Sequence, residues 1–321
     1  IYSYGPVLPK HPAIPLLKRR PEIFYVREVI ACEKLHGSNA SIHLPEGIKD
    51  RSGIIYGSRE TTSLEPNFAL KVFQRWCEDR PETLDKILAV CQEYGFSDVT
   101  IYGEAYGPGI QAKGVKYTSG KEVLFRAFDI LVSGNLLTYD LFLEVVGKMG
   151  LPSTPIIWRG EPSAEAFDKL LNQPSQDALQ NGVLDEGNLS EGVVIRSNPL
   201  LRNAFGEWLI LKHKSAHFSE VAPPPKVQAQ ARDTSPGDAF VATFVTEARV
   251  SNAIGRLRDR GVALTDTLKD IPSVLQEVVL DLQKECLPEW EAAGLTPKDV
   301  KGAASKVVVN HFRKINNIIN S

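Results

Sequence analysis

Long apolar runs are missing from this chain. Stretches such as Ile130-Leu131-Val132 are far short of the ~20 residues needed to cross a bilayer, so no membrane span and no membrane partner are expected. Cysteine is scarce as well. The four present, Cys32, Cys77, Cys91 and Cys286, lack paired metal-type spacing and are too sparse for a disulfide scaffold. That argues against zinc and reads as reduced thiols in a reducing intracellular compartment, the cytoplasm or another. Methionine is scarcer still: the sequence starts at Ile1 and holds only Met149, so organelle targeting stays open. Nor is there an excess of positive charge. A formal net charge of -2 excludes a generic nucleic-acid coat, whose affinity comes from neutralising many phosphates, and leaves room for a local basic surface only. Lys113, Lys116 and Lys121 cluster after a glycine-rich turn, although scattered solvated lysines account for them equally well; Lys212 and Lys214 lie further on.

What remains is an ordinary globular composition. With 321 residues, 43% hydrophobic and 24% charged, the chain has material for two domains, each with its own core. Residues 26 to 44 alternate and are rich in Val, Ile and His, which predicts one strand entering and another leaving a turn at Lys34. Further strands are predicted at 54–56, 99–106, 123–132, 191–196 and 208–214. Helical spacing covers 66–94, with Pro81 at a helix start, and then 139–148 and 163–171. Helices do not alternate regularly with strands, so an antiparallel α+β domain fits better than a doubly wound sheet. Ala222-Pro223-Pro224-Pro225 opens a Pro-, Gln- and Ser-rich stretch, and from Ala239 onward the apolar period is helical. The expected division is 1–232 for the first domain and 233–321 for a small all-α second one.

The most informative stretch is Glu33-Lys34-Leu35-His36-Gly37-Ser38-Asn39. A lysine amine attacks phosphorus only when unprotonated, so a nucleophilic lysine needs neighbouring cations or desolvation to lower its pKa from about 10.4. The glycine lets backbone come close to a phosphate or nucleoside. Lys-x-(Asp or His)-Gly alone arises by chance in roughly one chain in ten of this length. Four further segments follow in order: Ser58-Arg59; Tyr102-Gly103-Glu104; Phe128-Asp129; and the pair Glu191-Gly192-Val193-Val194-Ile195 with Lys212-His213-Lys214. Lys212 and Lys214 are two apart on a strand and so share a face, where they can hold a phosphate and repel the charge of Lys34.

In this combination the chain resembles the covalent nucleotidyltransferase superfamily of ATP-dependent DNA ligases, RNA ligases and mRNA capping enzymes. His36, where most of that superfamily has aspartate, makes it similar to the RNA ligase 2 family of double-strand RNA ligases. So do Gly103-Glu104-Ala105-Tyr106-Gly107-Pro108-Gly109-Ile110-Gln111 and Lys212-His213-Lys214-Ser215-Ala216-His217-Phe218-Ser219-Glu220. The resemblance implies that Lys34 takes AMP from ATP, that AMP passes to an RNA 5′-phosphate, and that a 3′-hydroxyl displaces it. It gives Glu104 the ribose, Phe128 the adenine face, and Asn39 and Arg59 the phosphate or RNA end. Glu33 joins them in the nucleotide site, Glu191 becomes a ligand for Mg²⁺ or Mn²⁺, and His36 acts in the steps after lysine adenylylation.

The expectation is therefore an ATP-dependent RNA ligase, monomeric, that seals 3′-OH and 5′-phosphate ends, preferably at nicks in duplex RNA. A capping guanylyltransferase is the nearest rival, but that class appends a β-rich domain where residues 239 to 321 here read as helices. A noncatalytic RNA-binding module on a ligase fold would have no need to keep Lys34, Glu104, Glu191, Lys212 and Lys214 together. Arg249, Arg256 and Arg258 are candidate phosphate contacts on the helical part.

Overall fold

Strand β1 (Val29–Glu33) is buried on both faces, and its alternation divides two cores. Val29 and Ala31 pack with Phe167, Val193, Ile195 and Leu211, whereas Ile30 and Cys32 turn to the larger cluster. The computed structural model describes residues 8–12, 14–59, 62, 68–108, 110, 115–185, 187–215, 218, 236–265 and 267–319. Gly109, Gln111, Lys113, Ala216, His217, Ser219, Glu220 and the stretch 222–235 lie outside them. Two compact units result, Ile1–Ser215 and Ala216–Ser321.

Among the described residues of the first unit, nine strands form two sheets. The other strands are β2 (Ser38–Leu44), β3 (Ile55–Ser58), β4 (Val99–Tyr106), β5 (Leu124–Val132), β6 (Asn135–Leu136), β7 (Ile156–Gly160), β8 (Gly192–Ser197) and β9 (Ile210–Lys214). One sheet has the order β7-β1-β8-β9 and the other β3-β2-β4-β5-β6. Every neighbouring pair is antiparallel, as expected for strands joined without regular helical crossovers. The chain leaves the first sheet at Glu33 and enters the second at Ser38, so Lys34 to Gly37 form the connection between them.

Helices α1 (Phe68–Glu78), α2 (Pro81–Glu93) and α3 (Tyr139–Lys148) supply Phe73, Ile87, Phe142 and Val145 to the core that the second sheet shares with Ile30 and Cys32. Pro81 stands in the first turn of α2, where its missing N–H costs nothing. Helix α4 (Ala164–Lys169) starts where the Ser163 hydroxyl accepts from Ala166 N at 3.0 Å. Three elements, the two-residue β6, β7 and the short α5 (Gln176–Gln180), have no counterpart in the sequence reading. β7 is an edge strand with no apolar alternation, and Ile156 there is 45% exposed.

The second unit is built from α6 (Pro236–Phe244), α7 (Glu247–Asp259), α8 (Ile271–Glu285), α9 (Leu287–Ala292) and α10 (Pro297–Ile319). Its core joins Phe240, Ile254, Val278, Leu282, Trp290 and Phe312. Here one expectation fails. Arg249 is no solvated phosphate contact: the helical period sets it with Val250, Ala253 and Ile254 on the inward face of α7, fully buried and paired with Asp281. Arg256 likewise donates to the buried Glu277 at 2.9 Å. Arg258 is exposed. None of the helices in the described residues is long and apolar enough to cross a membrane.

Candidate active site

The backbone at Lys34 is fixed from both sheets. Glu33 N donates to Pro155 O and Lys34 N to Gly192 O, each at 2.9 Å, which ties the end of β1 to the first sheet. Two residues on, His36 N donates to the Tyr117 hydroxyl at 2.7 Å. A Cβ on Gly37 would lie 2.4 Å from Ala105 O and 2.8 Å from Tyr106 Cβ, so only glycine lets the turn seat against β4. The motif glycine thus has a role inside the protein.

With the backbone held so, the Lys34 ammonium donates to Glu191 Oε2 at 2.7 Å. The same carboxylate meets Lys214 Nζ at 3.3 Å through Oε1, and His36 Nδ1 stands 3.5 Å from Oε2. Lys34 thus meets a buried acid 157 residues away in sequence. Burial alone would raise the Glu191 carboxyl; the charge of Lys34, the hydrogen bond with His36 and the charge of Lys214 outweigh it and hold it well below the usual carboxylate range. Glu191 is therefore ionised at neutral pH.

Gly192 explains why Glu191 sits at that spot. Its φ of +146° lies where side chains are rarely tolerated, and a Cβ there would be 2.1 Å from His213 O. β9 thereby closes onto β8, with Gly192 opposite Lys214 and Val194 opposite Lys212. Alternation along β9 then sorts the side chains. Leu211 joins the cluster that contains Phe167 of α4, and His213 Nε2 approaches Asp168 of the same helix at 3.3 Å. Lys212 and Lys214 share the opposite face.

The second sheet brings its own residues. Glu104 on β4 lies opposite Asn39 on β2. Burial pushes the Glu104 carboxyl up to about 7 and Glu191 adds to this, against the charges of Lys34, Arg59 and His36. Those couplings group Glu104 with Lys34, Glu191 and His36, and bring in Arg59, which is exposed just beyond β3. Near neutral pH Glu104 lies close to half-protonated, so the charges at this junction sum to positive.

Not every expected residue joins this group. Glu33, one residue before Lys34, faces the other way by strand alternation: its oxygens accept from Ser175 Oγ at 2.5 Å and Asp177 N at 2.8 Å, at the start of α5. Burial raises its carboxyl to about 7. Phe128 is half-buried on β5, with His11 edge-on at 5.1 Å between ring centroids. Tyr117, His11 and Arg196 are absent from the sequence reading. His11 is 118 residues from its partner Asp129, and no local spacing signals such a pair. Lys116 and Lys121 are exposed.

Over residues 27–214 the sequence matches the family described as RNA ligase, a span covering more than half of the chain and every residue of the junction. Comparison with curated proteins gives no match. Among solved structures, a Naegleria gruberi RNA ligase variant with ATP and Mn and another with AMP and Mn each show 18% identity and a TM-score of 0.48. The same enzyme with PPi gives the same values. In each case the alignment covers 67% of this chain and 58% of the other, so the chain spans less than two thirds of the length of those structures.

Proposed function

The chain belongs to the RNA ligase family, and from that premise we propose that it is an ATP-dependent ligase that joins RNA 3′-OH and 5′-phosphate ends through a lysyl-AMP on Lys34, with nicks in duplex RNA as its preferred substrate. One observation carries the reading: Lys34 and His36 from one segment and Lys214 from another converge on the single carboxylate of Glu191. Positive charge in excess of negative suits a triphosphate.

In the first step the unprotonated amine of Lys34 attacks the α-phosphorus of ATP. The Nζ–P bond forms as the P–O bond to the β-phosphate breaks, pyrophosphate leaves, and the one proton that the neutral amine loses passes to solvent. Lys212 and Lys214 lie on the strand face suited to neutralising the equatorial oxygens, which is the main work of phosphoryl transfer. An RNA 5′-phosphate oxygen then takes AMP from Lys34, and a 3′-hydroxyl oxygen displaces AMP to leave the phosphodiester. Asn39 and Arg59 offer amide and guanidinium donors to the phosphates.

The donor set also fits a divalent cation of the Mg²⁺ or Mn²⁺ class. Glu191 offers hard carboxylate oxygen, and such ions take one or two carboxylates and complete their shell with phosphate oxygens and water. Bound there, the ion would supply further neutralisation of phosphate charge.

Incubation of the whole chain with α-labelled ATP or GTP and Mg²⁺, followed by sealing assays on nicked RNA, nicked DNA and single-stranded RNA, tests the reading. Label from ATP and sealing of nicked RNA are expected. Label from GTP alone, or no label from either, would overturn it.

The helical unit is proposed to engage RNA, because none of the nucleotide-handling motifs falls within it. A chain ending near Arg232 should still take up label at a rate within about threefold of the full chain, yet seal nicked RNA at least about tenfold more slowly. Its RNA binding should also vary less steeply with salt, since fewer phosphates are neutralised. Undiminished sealing by the shortened chain would refute this division.

A further inference from the structure

Residues 8–12 and 14–16, ahead of every motif, bridge the two sheets of the first unit. At one end the Tyr102 hydroxyl on β4 donates to Pro9 O at 2.8 Å. At the other, Lys212 N on β9 donates to Pro15 O at 2.9 Å, and Leu16 forms an isolated parallel bridge with Lys212. Between these anchors lies His11, whose side chain is 7% exposed. Its ring stands nearly perpendicular to Tyr102 (77°) and to Phe128 (84°), with centroids 5.1 Å from each. Both ring nitrogens face oxygen: Nδ1 is 3.0 Å from Pro12 O and Nε2 is 2.8 Å from Asp129 Oδ2.

Asp129 follows Phe128 directly and is rigidly held. Arg196 grips it with two hydrogen bonds, of 2.7 and 3.1 Å, and donates from Nη2 to Phe128 O at 3.3 Å. The same guanidinium lies 4.8 Å over the Tyr139 ring. The backbone of Phe128 is therefore fixed by Arg196, and its ring meets His11 edge to face.

We propose that His11 is a positioning residue that holds the Phe128 ring in the orientation needed to stack on the nucleobase. The inference rests on the reading of Phe128 as the adenine platform. A half-buried phenylalanine on a strand has more than one staggered χ1 well open to it. Stacking requires one of them, and ordering the ring at the moment of binding would weaken affinity. The perpendicular contact with His11, itself tied to Asp129, fixes the tilt beforehand.

The test is single-turnover adenylylation of the full chain across a range of ATP concentrations. His11→Ala should raise the half-saturating ATP concentration about three- to tenfold, the scale of one aromatic pair and one hydrogen bond, while the maximal rate stays within about twofold. His11→Gln, which can still donate to Asp129 but lacks a ring, should fall between wild type and His11→Ala; it also serves if the alanine variant folds poorly, which the thermal midpoint reports. Since His11 acts through Phe128, His11→Ala placed in a Phe128→Ala background should add less than about a further twofold. Two results overturn the inference alone: Phe128→Ala raises half-saturation but the His11 variants do not, or the two effects multiply. If Phe128→Ala itself leaves half-saturation unchanged, the adenine-platform reading fails, and the proposal falls with it.

Discussion

Lys34→Ala exposed to α-labelled ATP and Mg²⁺ is expected to take up no label above background, a fall of at least about four orders of magnitude. Losses of about that scale accompany removal of the nucleophile or its base from an enzyme that works through a covalent intermediate. Joining of RNA that already carries a 5′-adenylate needs no bond to Nζ, so the same variant should retain measurable sealing of that substrate. Glu191, Glu104 and the turn at Gly37 all stay in place. A labelled Lys34→Ala protein would refute the lysyl-AMP mechanism, and a variant inactive on pre-adenylated RNA but correctly folded would give Lys34 a part in the last step as well.

Glu191→Ala is expected to have the next largest effect, on the order of 10²- to 10³-fold in adenylylation, the range found when a preorganised charge is taken from a transition state. The geometry says why one carboxylate weighs so much. It is the shared partner of Lys34 at 2.7 Å and Lys214 at 3.3 Å, and without it two ammonium groups in a confined space repel each other. Glu191→Gln separates the causes. The amide keeps the shape and one acceptor oxygen but neither the charge nor the second acceptor, so activity close to wild type in Glu191→Gln would mean that the charge is dispensable there. Raising Mg²⁺ should rescue neither variant fully if the carboxylate orders the two lysines as well as binding metal. Label uptake at the wild-type rate by both variants would remove Glu191 from the site.

How far these residues could be read from the chain depended on what kind of signal each leaves. Strands with apolar alternation, such as Val99–Tyr106 and Leu124–Val132, and helices with a proline or serine at the start, such as Pro81–Glu93 and Ala164–Lys169, declare themselves locally. β7 does not, being a half-exposed edge strand whose pairing with β1 is its main support. Among the candidate site residues, Lys34, Glu104, Glu191, Lys212 and Lys214 stand in short segments beside glycines or alternating residues. His11 and Tyr117 stand in no pattern at all, since what gives them a role is a partner brought close only by folding. Charge on a helix misled for a similar reason. Arg249 reads as a solvated cation, but the partner that makes its burial tolerable, Asp281, lies on another helix 32 residues away.

The chain crosses from one sheet to the other at the residue given the chemical step. Lys34 is hung by its N–H from Gly192 in the first sheet, while Gly37, three residues on, is wedged against Ala105 in the second. A side chain mounted on one strand would follow that strand alone, but Lys34 takes its coordinates from both. Sub-ångström slippage between the sheets, of the kind that a cavity-filling or loop-shortening change readily causes, would appear as a misaimed nitrogen before it appeared as lost stability. Engineering this protein for heat resistance and engineering it for rate are consequently separate problems around β1, β2, β4 and β8, and a library scored on melting temperature alone would be blind to the misalignment.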